Sequence, residues 1–382
     1  MDDAISWDDA HELARRFPAL ESISLPLDAA LGHVLAADIA ARTDLPPFTT
    51  SAMDGWAVSG PAPWQVVADI PAGADESHTL ASGQAALIST GARVPAGAEA
   101  VLRREAGIAN DVGLEPIERA PAPGEDMRAA GSECRKGDIV APAGLQVSPA
   151  VAGLAAAVGA DGLVVVRRPD TDLFVLGDEL LAEGTPRLTR IRDALGPMVA
   201  PWLARLGADV RDMRRLTDSA RALRDAVSGS DADLLVTTGS TARGTHDHVH
   251  DVIRELGAEL VVDGVAVRPG HPMVLARLPD GRPWVCLPGN PLAAVSALVT
   301  LAEPVLRALR GAAPARVITT RLNHDVAGHP TRARLLPVLD GVVLHYIGPA
   351  MLRGLAQAEG LALVPAGGVD AGEPVRLLPL PD

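Results

Sequence analysis

The amino-acid sequence predicts a multidomain α/β plus β protein in four parts. These are a central, mostly parallel α/β domain, a discontinuous N-terminal domain, an inserted β-rich domain and a small C-terminal β domain. Three observations carry that expectation. At 382 residues the chain exceeds one ordinary core, and length alone suggests about two to three domains. From residue 169 onward strand and helix signals alternate, as in βαβ units whose parallel sheet is covered on both faces. Before and after that stretch lie short apolar runs separated by Gly- and Pro-containing turns, the pattern of small sheets.

The elements follow in order. Residues 1–45 read as helical around Trp7–Phe17 and again around Asp28–Ala37. In the inserted domain, 46–138, the runs Gln65–Ala68, Ala86–Ser89 and Ala100–Leu102 read as strands. Ser148 as a cap, Pro149 at the first helical position and Gly159 at the end frame a helix, with a strand at Leu163–Val166. Residues 139–168 are expected to pack back on 1–45 as one discontinuous helical and linker domain. The α/β domain, 169–312, opens on strand Leu173–Leu176, helix Gly196–Leu206 and a strand near Asp209–Met213. Helix Asp218–Val227, strand Asp233–Thr238 and helix Asp247–Leu256 come next, then strand Trp284–Leu287 and helix Pro291–Leu309. The remainder, 313–382, returns to short strands and turns. No internal repeat or low-complexity linker interrupts the chain.

Composition narrows the function classes. Hydrophobic residues make up 48% of the chain, yet only nine are Phe, Trp or Tyr, so Ala, Leu and Val must fill the cores. A net charge of −14 argues against broad nucleic-acid or anionic-membrane binding. Any anionic ligand must then be held by local backbone amides and a few arginines. Only Lys136 among the 34 basic residues is lysine, which reads as a coding bias. Cys134 and Cys286 make neither a metal site nor a disulfide framework. The acidic start, Met1-Asp2-Asp3, has no apolar signal region, and the most membrane-like run, Ser148–Val166, is short and carries Asp161. A cytoplasmic protein is expected.

Several segments carry candidate chemistry. Pro46-Pro47-Phe48-Thr49-Thr50-Ser51-Ala52-Met53-Asp54-Gly55-Trp56-Ala57 cannot easily be helical, because Pro fixes φ and pushes its predecessor toward extended backbone. It should be a rigid loop that presents Asp54 beside a Gly where a ligand or another backbone comes close. Leu234–Asp247 reads as strand, glycine-containing loop and helix start, so Gly239, Ser240, Arg243 and Gly244 fall at the carboxyl end of a parallel strand. Leu287-Pro288-Gly289-Asn290-Pro291 repeats the arrangement, with Asn290 as an N-cap and Pro291 at the first helical position. Two such loops can line one crevice. Arg268-Pro269-Gly270-His271-Pro272 carries two potential cations. Asp178 and Glu179, at the end of strand Leu173–Leu176, suit Mg²⁺, which takes a few carboxylates plus substrate phosphates. Each loop is equally readable as an ordinary turn when taken alone. His246, His248 and His250 lack a metalloprotease pattern and read as exposed residues near a helix start.

Taken together and in order, these segments resemble the molybdopterin molybdenumtransferase family. Ser89-Thr90-Gly91-Ala92-Arg93-Val94-Pro95-Ala96-Gly97-Ala98-Glu99-Ala100-Val101 and the tail with Ala356–Leu361 and Ala371-Gly372-Glu373 add to the likeness, which extends to the second half of gephyrin. The resemblance implies insertion of molybdenum from molybdate into adenylylated molybdopterin with Mg²⁺ and release of AMP. It also implies a homodimer whose Met-Asp-Gly loop reaches the partner's cleft, with the molybdopterin adenylyltransferase and molybdenum-enzyme apoproteins as possible partners. Asp54, Asp178, Glu179 and Asp247 would then be the catalytic carboxylates, and Asp178, Glu179 and Asp247 the metal ligands. Gly239, Ser240, Arg243, Gly244, Arg268, His271, Pro288, Gly289, Asn290 and Pro291 would hold the substrate.

The chain departs from the family in that ligand shell. Val175-Leu176 stand where Ser-Thr is usual, and Asp193-Ala194-Leu195 where Asp-Ser-Asn is usual. Ser240-Thr241-Ala242-Arg243-Gly244-Thr245-His246-Asp247 replaces Gly-Val-Ser-Val-Gly-Asp-Tyr-Asp, and His271 replaces a Lys. A working transferase is the first reading. A pterin-binding or carrier paralogue without turnover is the second, and another phosphorylated-ligand enzyme on the same scaffold is the third.

Overall fold

The computed structural model describes residues 4–74, 78–241 and 248–381. Its centre is a six-stranded sheet in the spatial order Asp209–Leu216, Asp170–Leu176, Leu234–Thr238, Pro283–Leu287, Val274–Arg277, Glu259–Asp263. The first four strands are parallel, as the alternation predicts, and Val274–Arg277 runs antiparallel to both its neighbours. Side chains alternate cleanly across the sheet. Leu173 and Val175 enter one core, Phe174 and Leu176 the other. Helices α4 (Ala220–Ser228) and α5 (His248–Glu255) close the second face through Leu223, Val227, Val249 and Val252.

The first face is covered by helix α3 (Leu195–Arg205) and by a long apolar rod, Pro291–Leu309. That rod has a mean hydropathy of 1.6, enough for a membrane span, but 83% of it is buried, so it is a core helix here. It passes from α6 (Pro291–Ala297) through a π segment, Leu298–Ala302, into α7 (Glu303–Leu309). Pro304 has no N–H for the helical ladder, and the widened turn precedes it. Helix α1 (Trp7–Ala14) also joins this face: Trp7 is 7% exposed, and its Nε1 donates to Thr300 Oγ1 at 3.1 Å.

The helix expected over Asp28–Ala37 does not form. Ser22–Pro26 is a strand, turns follow, and Val34–Leu35 pairs with Val165–Val166. Ser22–Pro26 pairs with Gly162–Val166, so the two ends of the discontinuous region do meet. The expected helix after Ser148 is α2 (Pro149–Ala157): the Ser148 side chain accepts from the Val151 amide, and Gly159 turns out at φ +89°. Between these halves, Gln65–Ile70, Gln84–Ile88, Gly55–Ser59 and Ala100–Arg103 form a four-stranded sheet.

The tail forms a second large sheet, with Ala333–Leu339, Gly360–Val364 and Pro374–Pro379 at its centre. One of its edge strands, Val267–Arg268, comes from within the α/β region and pairs parallel with Ala333–Arg334. The fold is thus multidomain, with mixed sheets and helices.

Candidate functional site

In the central sheet the chain runs from Asp170–Leu176 to the neighbour on one side, then returns to the neighbour on the other. Strand order reverses at that point, and the crevice between diverging loops is where open α/β sheets bind ligands. A cleft of about 480 Å³ occupies it. Of the sequence-predicted residues, Glu179, Gly239, Ser240, Pro288, Gly289, Asn290 and Pro291 line this cleft together. Asp178 sits beside it and accepts from the Asp218 amide at 3.4 Å. Arg243, Gly244 and Asp247 lie outside the described residues.

The two glycine loops touch, as their positions in a parallel sheet predict. Gly239 has φ +93° and donates its amide to Leu287 O at 2.9 Å. A Cβ on it would meet Leu176 O at 3.0 Å, and one on Gly289 would meet the Gly239 Cα at 3.5 Å. Ser240 takes the left-handed conformation, φ +52°, where a glycine is more usual. Its hydroxyl donates to Asp218 Oδ1 at 2.5 Å. Asp218 therefore faces the cleft beside Glu179, although sequence reasoning placed it merely at a helix start. The available signal is its position just past the carboxyl end of strand Asp209–Leu216.

Asp193 anchors the opposite wall. It is 2% exposed; Oδ1 accepts from the Gly196 amide at 2.9 Å, and Oδ2 takes Arg215 Nε and Nη2, both at 2.8 Å. Arg215 comes from the outer strand of the sheet, so no local spacing announces the pair.

At the head of α6 the expected arrangement changes. Pro291 has no amide, and the next two N–H groups, on Leu292 and Ala293, both donate to the carbonyl of Pro349 at 2.9 and 3.3 Å. Helix starts attract anions through such free amides. Here a carbonyl from the C-terminal sheet region already occupies them. The Asn290 side chain makes no capping bond either, and it stands exposed between the cleft and a second hollow.

That second hollow, about 440 Å³, shares Pro272, Pro288 and Asn290 with the first. Arg268, Arg332 and Arg334 line it together with His271. The parallel pairing of Arg268 with Arg334 explains why a motif and a distant strand meet there.

Family models cover both halves of this architecture. The MoeA N-terminal region (domain I and II) matches residues 5–159, and a probable molybdopterin binding domain matches residues 173–308. A protein named molybdopterin molybdenumtransferase 2 from Mycobacterium tuberculosis is 34% identical, covering 96% of either chain. This chain belongs to the molybdopterin molybdenumtransferase family. A Nostoc relative named molybdopterin molybdenumtransferase is 31% identical over 92% of this chain and 87% of its own. Among solved structures, a Pyrococcus horikoshii molybdopterin biosynthesis MoeA protein superposes with TM-score 0.78 at 26% identity, covering 99% of both chains. A second one from that organism, with TM-score 0.83 at 21% identity, covers 98% of this chain and 100% of its own, and supports the fold.

The departures from the family's usual motifs can now be placed. Val175 is fully buried in the sheet core and Leu195 is 6% exposed, so apolar packing absorbs two of the lost polar groups. His271, the second potential cation of its loop, lines the arginine hollow. Its Nδ1 lies 3.0 Å from Val265 O and its Nε2 lies 3.5 Å from Arg332 Nη2. His248 and His250 are not the exposed residues expected: their side chains are 20% and 14% accessible, and His250 pairs with Asp263 at 2.8 Å.

Asp54 belongs to neither hollow of its own chain. It precedes strand Gly55–Ser59, and its Oδ1 accepts the Thr90 amide at 2.6 Å, which joins two of the family's motifs. That backbone bond holds the carboxyl below its ordinary value. Gly55 is where another backbone comes close: a Cβ there would lie 2.0 Å from Leu102 O.

Proposed function

We propose that this chain inserts molybdenum from molybdate into adenylylated molybdopterin, with release of AMP, and does so with Mg²⁺ as a homodimer. The observation that carries the reading is the junction of two unlike hollows across Pro288 and Asn290. One is a crevice at the sheet's switch point, lined by carboxylates and glycine loops. The other is a basin of arginines, suited to an oxyanion. A transfer between a phosphorylated pterin and molybdate needs both reagents held apart in charge yet adjacent in space.

The donor set suits a metal shared with substrate. Among the described residues no three His, Cys, Asp or Glu side chains gather into a closed metal site. Glu179 and Asp218 line the cleft, and Mg²⁺ commonly uses one or two carboxylates plus substrate phosphates. Glu179 and Asp218 would hold it, with Asp178 next to Glu179 in the chain and Asp247, outside the described residues, as a further candidate, and it would supply charge neutralisation at the phosphates. Ser240 fixes the Asp218 carboxylate in place, and Asp193 with Arg215 fixes the opposite wall. The Asp54 loop would reach the cleft from a second copy. Its exposed, ionised carboxylate and its absence from its own chain's cleft support that part.

We assign the binding chemistry to residues 169–312, flanked by 1–45 with 139–168, 46–138 and 313–382. The adenylyltransferase that makes the substrate and apoproteins that accept the product are the partners this reaction requires, in the cytoplasm. The test is direct. Purified protein with adenylylated molybdopterin and Mg²⁺ should release AMP only when molybdate is added, and Asp54→Ala should abolish that release with the fold intact. Release that ignores molybdate, or none at all from folded protein, overturns the reading and favours a pterin-binding paralogue.

A further inference from the structure

The cleft presents a charge problem. A ligand with a phosphate anhydride must enter a crevice whose lining includes Glu179, Asp193 and Asp218. The amides at the head of α6, the expected anion donors, are already taken by Pro349. Asp193 is neutralised by Arg215; Asp218 has His248 Nε2 at 3.8 Å but no arginine, and Glu179 has neither among the described residues. Among the described lining residues a single basic side chain remains, Arg192.

Arg192 is placed for the task. It is exposed on the short strand Ile191–Arg192, which pairs with Leu180–Leu181 at the cleft rim. The backbone is pinned on both sides of it: the Ile191 amide donates to Glu179 O at 2.9 Å, and the Asp193 amide to Leu181 O at 3.0 Å. One residue further on, Asp193 is buried and bonded on both oxygens. The rim strand is therefore fixed in register while the Arg192 guanidinium makes no ion pair or hydrogen bond among the described residues. An arginine that ignores two carboxylates in its own cleft is not serving as a structural ion pair. Arg187 and Arg190, also exposed, add positive charge in the turn that leads into this strand.

Resting on the function proposed above, in which the arginine basin takes the smaller oxyanion, we infer that Arg192 grips the phosphate anhydride of the adenylylated substrate. The planar fork of a guanidinium suits two phosphate oxygens at once. Arg192 thereby sets which reagent enters which hollow, at a place where free helix-start amides do not.

ADP, a soluble stand-in for the anhydride, and molybdate should be titrated separately by calorimetry into the wild type, Arg192→Gln and Arg192→Lys. Removal of one charged, doubly bonded contact should weaken ADP roughly ten- to hundredfold in Arg192→Gln. Molybdate binding should be unchanged, and Arg192→Lys should recover part of the loss. In turnover, KM for the adenylylated pterin should rise more than kcat falls. Unchanged ADP affinity and KM in Arg192→Gln overturn the inference, as does an equal loss of ADP and molybdate binding. The two readings fail separately. AMP release by the wild type with an indifferent Arg192→Gln removes Arg192 alone; Arg192-dependent ADP binding without molybdate-dependent release removes the transferase and leaves Arg192 in place.

Discussion

Replacement of Asp193 by Ala should unlock one wall of the cleft, and its cost can be worked from two contacts. The Gly196 amide is buried at the start of α3 and has the Asp193 Oδ1 as its acceptor at 2.9 Å. An unsatisfied buried donor costs about 1–3 kcal/mol. Arg215 loses its carboxylate partner, but its side chain is 33% accessible, so water replaces the pair and that term is only about 1 kcal/mol. The sum is about 3 kcal/mol for Asp193→Ala. Asp193→Asn keeps an acceptor for Gly196 and loses only the charge, so about 1 kcal/mol is expected. A multidomain chain does not unfold in two states, so a global midpoint is a poor measure. Hydrogen exchange at the Gly196 amide reports the local term directly. It should accelerate strongly in Asp193→Ala and little in Asp193→Asn. Equal protection in all three proteins would refute the role given to this carboxylate.

Gly55→Ala should disturb the inserted sheet, since its Cβ would fall 2.0 Å from Leu102 O in a strand pair whose register is fixed. A loss of about 3 kcal/mol is expected, read as a lowered thermal transition of the β-rich region; an unchanged transition would contradict the packing. His11 stacks on Trp7 at 4.7 Å and its pKa is lowered to about 4 by burial and then by Arg15 and Arg376, with Asp8 opposing. The unfolded chain therefore binds the proton more readily, so stability is lost as pH falls from about 6.5 toward about 4. His11→Gln should flatten denaturation midpoints across that window, and an identical pH slope would show that His11 is not the group responsible.

How much of this was readable in advance depends on the range of the contacts. Strand Leu234–Thr238 and the cap at Ser148 are encoded locally, by an apolar run and by adjacent Ser and Pro, and both form as expected. Asp28–Ala37 has helix-favouring Ala and Leu, but pairing of Val34–Leu35 with Val165–Val166 overrides that propensity. Glu259–Asp263 and Val274–Arg277, which pair antiparallel, are only five and four residues long, too short for a periodic signal, so they go unassigned. Within the site, Gly239 and Gly289 were legible because parallel strands place successive loops side by side. Asp218 needs the strand order, and Arg215 and Pro349 need the tertiary contacts themselves.

The carbonyl of Pro349 at the head of α6 bears on how this architecture can be rearranged. The helix that walls the cleft is completed by a peptide group from a turn of the C-terminal region, so the two are joined at the level of single hydrogen bonds. A chain cut after residue 312 would leave the buried Leu292 and Ala293 amides without acceptors. A C-terminal sheet transplanted from another protein would have to bring an equivalent carbonyl to the same spot. The α/β unit is therefore not an interchangeable module in this chain, and any protein that carries such a unit alone must close that helix by other means.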